Sequence, residues 1–153
     1  MKMKKPSPKK ANNFVPKPTE LLEHVKDWRK TISNFKNVVK PGGIILLTTR
    51  SIGFQYHAFP FDFWRYQIED FQNIFSDCIL QSIAKDPEIG IFAKIIKPEN
   101  FVEKDLSDYE LYSIVTKKRI KELNEKDLKK FINRAKRLNR AIKLFMRFKP
   151  NMN

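Results

Sequence analysis

The side chains able to do chemistry are few, and most lie in two short segments. The first is Glu20-Leu21-Leu22-Glu23-His24-Val25, which holds one of the two histidines. The second runs from 50 to 66 and reads RSIGFQYHAFPFDFWRY. It combines Tyr56, His57, Asp62, Trp64, Arg65 and Tyr66, which can line a substrate pocket. His57 carries an imidazole, which can accept a proton. Arg65 can hold a carboxylate or phosphate in its fork. An equally open reading makes the aromatics core and Asp62–Arg65 a local salt bridge that stiffens the loop. Loops this long in a compact domain tend to be functional.

Other chemistries lack their residues. The four glycines, Gly42, Gly43, Gly53 and Gly90, form neither G-x-G-x-x-G nor G-x-x-x-x-G-K-[ST]. There is no H-E-x-x-H and no G-x-S-x-G. Two distant histidines and Cys78, the only cysteine, match no metal-ligand spacing, so no metal is expected. Cys78 reads as a small buried hydrophobe, and a chain with one cysteine suits a reducing cytoplasm.

The elements that must position these residues follow from periodicity. Thr19 is a plausible N-cap, and Leu21, Leu22, Val25, Trp28, Ile32, Phe35 and Val39 recur in steps of three and four, predicting one helix up to Lys40-Pro41-Gly42-Gly43. Ile44–Thr49 predicts a strand buried on both faces, as inside a parallel sheet. Residues 67–75 predict a short helix, and 79–84 and 90–96 a strand pair of hairpin spacing around Asp86-Pro87-Glu88. Residues 111–116 predict a short strand. From Asn124 a basic amphipathic helix carries Leu128, Phe131, Ile132, Ala135, Leu138, Ile142 and Phe145 on one side.

The formal net charge of +14 on 153 residues is unevenly placed. Residues 1–18 carry six lysines and no acid, with prolines at 6, 8, 16 and 18, and read as a disordered basic arm. Residues 117–153 carry 14 basic and 3 acidic side chains, +11, while residues 19–116 carry −3. The division expected is therefore an arm at 1–18, a body at 19–116 and a basic helix at 117–153. Both ends suit RNA, and no segment is apolar enough to be a membrane span.

Leu22-Glu23-His24-Val25, Val39-Lys40-Pro41-Gly42-Gly43 before an apolar strand, and the Tyr-His…Pro-x-Asp-x-Trp-Arg-Tyr loop together resemble the C-terminal half of class I S-adenosylmethionine-dependent methyltransferases, over residues 20–97. The resemblance implies an α/β fold, a truncated doubly wound methyltransferase-like sheet with a basic C-terminal helical extension. It implies that the strands at 44–49, 90–96 and 79–84 lie side by side in that order. It makes Leu22, Glu23, His24 and Val25 a partial wall for S-adenosylmethionine, His24 and His57 catalytic, and Tyr56, Asp62, Trp64, Arg65 and Tyr66 substrate-binding. The family's glycine-rich cofactor loop has no counterpart here. The chain would then be inactive alone, or half of a split enzyme completed by a chain carrying that loop. The alternative is a non-catalytic module that binds RNA or protein through its basic ends.

Overall fold

The computed structural model describes residues 20–147. The basic arm at 1–18 and the Thr19 cap lie outside the described residues. The order is a single 3-10 turn at Leu22–His24, α1 (Trp28–Val38), β1 (Ile44–Arg50), β2 (Trp64–Arg65), α2 (Ile68–Ile74), β3 (Ile79–Asp86), β4 (Gly90–Ile96), β5 (Leu111–Ser113), β6 (Lys118–Ile120) and α3 (Glu125–Arg147).

The first helix is shorter than its periodicity predicts. Asp27 accepts a hydrogen bond from the Lys30 backbone N–H at 3.0 Å and starts α1 there, while Val25 is extended. Glu23 and His24 are thereby released from the helix. At its other end, the Lys97 ammonium donates to the carbonyls of Lys36 and Val39, both at 2.9 Å, placing a cation on the terminal carbonyls.

β1, β4 and β3 form one sheet in the order β1-β4-β3, the neighbour order the resemblance implied. The sheet class is different. β4 is antiparallel to both neighbours, and the second sheet, β2-β5-β6, is antiparallel throughout. No parallel strand pair exists among the described residues, so the doubly wound sheet is not the fold. The physical reason is the connection between β3 and β4, a tight turn in which Asp86 Oδ1 accepts from the Glu88 N–H at 2.9 Å. So short a link permits only antiparallel strands. Nor is β1 buried on both faces: Ile45, Leu47 and Thr49 are buried, but Ile44, Leu46 and Thr48 only partly. With the sheet, the methyltransferase assignment is overturned, and S-adenosylmethionine as the cofactor with it, since that family grips its cofactor on a parallel sheet.

The core lies between the inner face of β1-β4-β3 and the two short helices, with Trp28, Ile32, Leu47, Phe71, Ile74 and Ile95 at its centre. Trp64, Tyr66 and Leu111 extend it under the second sheet. No described helix is long and apolar enough to cross a membrane.

Candidate metal centre

The extended break between the 3-10 turn and α1 is held from the long loop. The Phe63 N–H donates to the Glu23 carbonyl at 2.8 Å, and Trp64 Nε1 donates to the carbonyls of Val25 and Lys26 at 3.0 and 3.2 Å. The Tyr66 hydroxyl donates to the Leu22 carbonyl at 3.4 Å. His24 Nδ1 lies 2.6 Å from the Phe61 carbonyl. A carbonyl can only accept, so Nδ1 carries a proton, and in the neutral ring Nε2 holds the lone pair.

The loop folds on itself around Asp62. Its Oδ2 accepts from the His57 backbone N–H at 2.9 Å and from His57 Nδ1 at 3.0 Å. Both Asp62 oxygens also accept from Arg65, at 2.5 and 2.7 Å. Burial opposes ionisation of Asp62, but the hydrogen bonds from Arg65 and His57 outweigh it and hold the carboxyl below its ordinary range. Arg65 is itself buried, with its remaining donors on the carbonyls of Phe54, Gln55 and Trp64. The Asp62 carboxylate accepts from His57 Nδ1–H, so in the neutral imidazole Nε2 is the acceptor.

These two arrangements bring the histidines together. Their ring centroids are 4.7 Å apart, at 65° to one another. Beside them is Glu23, fully buried, whose Oε2 accepts from the Thr49 hydroxyl at 2.7 Å. Glu23 Oε1 and His57 Nε2 are buried and have no hydrogen-bond partner. One ligand atom from each of Glu23, His24 and His57 lies within 4.8 Å of the other two. Three ligands at about 2.1 Å from one tetrahedral ion stand about 3.4 Å from each other. Adjustments of about 1 Å, small for the two partly exposed histidines, would close the set.

The other residues singled out in the sequence are placed differently. Trp64 and Tyr66 are fully buried and hold the backbone at 22–26, and burial keeps the Tyr66 phenol well above its usual pKa. Leu22 is core, and Val25 contributes its carbonyl to Trp64. Tyr56 packs on Phe131 of α3 at 5.0 Å between centroids. Burial and then the Asp62 charge push its phenol up to about 12, against the opposing charge of Arg65. Phe59 and Phe61, which the core reading of the loop placed inside, are exposed. Sequence reasoning missed Thr49 and the Phe61 carbonyl. It also treated two histidines far apart in the chain as unable to share a metal, a distance the loop closes.

No protein-family model matches this chain, and neither a curated protein nor a solved structure does.

Proposed function

We propose that this chain binds a divalent transition-metal ion through Glu23, His24 and His57. The observation that carries the reading is the pair of buried, partnerless acceptors, Glu23 Oε1 and His57 Nε2, in one cluster with the His24 ring. Burying acceptors without a donor is costly, and a cation offsets that cost. The outer groups support it too. Metal-ligating histidines donate their other ring N–H to a carboxylate or carbonyl, and here His57 donates to Asp62 and His24 to Phe61. Two imidazoles and one carboxylate suit zinc and its first-row neighbours better than magnesium or calcium. Three protein ligands leave coordination positions for water or substrate, the composition of a catalytic rather than a structural site. There the ion would polarise a bound oxygen or lower the pKa of a bound water.

Isothermal titration of the chelator-treated chain with zinc tests this. One site of micromolar affinity or better is expected. His57→Ala should weaken it by at least about tenfold while circular dichroism stays unchanged. Equal affinity in wild type and His57→Ala would end the reading.

A second reading concerns the partner. From Leu128 to its end α3 carries no acid, and Lys129, Lys130, Arg134, Lys136, Arg137, Arg140 and Lys143 are all exposed. That density of exposed cations favours RNA as an electrostatic partner, bound without sequence preference.

A further inference from the structure

Two apolar surfaces of this chain have no partner among the described residues. The first is the outer face of β1-β4-β3, where a groove of about 420 Å³ is lined by Leu46, Thr48, Ser82, Ala84, Phe92 and Lys94. Phe92, on the middle strand, is 45% exposed there. The second is the far half of α3. Its near half is seated, with Leu128 against the core and Phe131 on Tyr56. The same stripe then continues through Leu138 and Ile142, which are 61% and 44% exposed. At 1.5 Å per residue the helix runs about 24 Å past Phe131.

We propose that the far half of α3 lies in the β1-β4-β3 groove of a second copy of this chain. Four observations select that occupant. The groove needs an apolar ridge, and Leu138 and Ile142, one turn apart, supply one. Charge is complementary on one side: Glu20, Asp86 and Glu88, three acids around Arg50, line the surface that shares Thr48 and Phe92 with the groove, and Lys94 is the one cation in the groove lining itself. The helix brings Arg134, Arg137 and Lys143 on the flanks of its stripe. Third, α3 cannot reach its own groove. It contains neither glycine nor proline at which to turn back, its near half is fixed on Tyr56, and none of its described residues lines the groove. Fourth, reciprocal exchange about a two-fold axis covers both surfaces on both copies at once and leaves no open end.

Light scattering of the full chain at about 50 μM tests the exchange. A dimer of twice 18.2 kDa is expected. Phe92→Glu, and separately the double variant Leu138→Glu/Ile142→Glu, should each be monomeric with unchanged circular dichroism, since all three side chains are exposed. Mixing the two variants should restore a mixed dimer, visible by native mass spectrometry. In that mixture the intact helix of the Phe92→Glu chain still meets an intact groove. A monomeric wild type overturns the proposal. So does a Phe92→Glu dimer, which would mean helices pairing with each other. A dimeric helix variant would mean sheet edges pairing, and failure of the mixture to associate would mean the two surfaces do not meet.

Discussion

Glu23 is the side chain whose environment fits worst with a metal-free protein. It is fully buried, and of its two oxygens only Oε2 has a donor, the Thr49 hydroxyl. Glu23→Gln keeps the shape, removes the acidity, and gives the amide a neighbouring imidazole lone pair to donate to. The metal-free variant should gain about 1–3 kcal/mol over wild type, a rise of a few degrees in Tm. It should also lose the stabilisation that excess zinc gives the wild type, about 2.7 kcal/mol at a hundredfold over Kd. Thermal melts with and without zinc check both signs, and a Glu23→Gln protein that melts lower without metal would remove the argument. Cys78 makes the opposite case, a group content where it is. Burial first, then the Asp77 charge and its hydrogen bond, push the thiol up to about 12, with Lys36 and Lys97 opposing. The folded state therefore holds the proton more tightly than the unfolded chain. The stability this gives is complete below the unfolded thiol's pKa of about 8.5 and declines as pH rises past it. At about pH 8, iodoacetamide should alkylate native Cys78 on the order of a thousandfold more slowly than the unfolded chain, because only the thiolate reacts. A peptide map after timed labelling measures the ratio.

At the scale of elements, local signals were legible and long-range ones were not. Asn124 does begin α3, its side chain accepting from the Asp127 N–H at 2.9 Å, and the hairpin of β3 and β4 sits where its turn residues put it. The order of β1, β4 and β3 was also readable. Their antiparallel setting in a sheet of only three strands was not, because an apolar strand such as Ile44–Arg50 looks the same whichever way its neighbours run. Of the second sheet only β5 was legible, as the short strand expected at 111–116; β2 and β6 went unread because they are two and three residues long, too short for a period-two pattern. Lys36 shows a different limit. It lies on the polar side of a helical pattern, yet is fully buried, donating to Asp77 at 2.7 Å and to the Ile74 carbonyl at 2.8 Å. It ties α1 to the end of α2. Lys36→Ala leaves Asp77 buried without its counter-charge and should cost about 3–5 kcal/mol in urea unfolding. A loss below about 1 kcal/mol would mean water reaches Asp77.

Across the whole molecule, charge is segregated while the candidate metal centre lies in the mildly acidic body. Net charge is −3 over residues 19–116 and +11 over 117–153. The helix that carries much of that positive charge touches the loop of the centre through Phe131 and Tyr56. If α3 binds a polyanion, it does so beside Tyr56, the residue before His57. Filter binding of a single-stranded RNA should weaken steeply with salt, the log–log slope steepening by about 0.7 for every phosphate the helix neutralises. Lys136→Ala/Arg140→Ala, two exposed cations on the side of α3 away from Leu138 and Ile142, should reduce that slope by about one to two. An unchanged slope would place the RNA-binding surface elsewhere.

The turn that carries Glu23 and His24 has the composition of a helix, and its apolar spacing runs unbroken into α1. Besides the Asp27 cap, Phe63, Trp64 and Tyr66 keep it out of the helix by drawing on its carbonyls. The two preferences are in competition. Were residues 20–39 to wind into one continuous helix, Glu23 and His24 would turn onto successive positions about 100° apart around its axis. The candidate metal centre is thus a feature of the unwound form alone. A metal that prefers that form holds the chain open there, and any change that loosens Trp64 hands the same residues back to the helix.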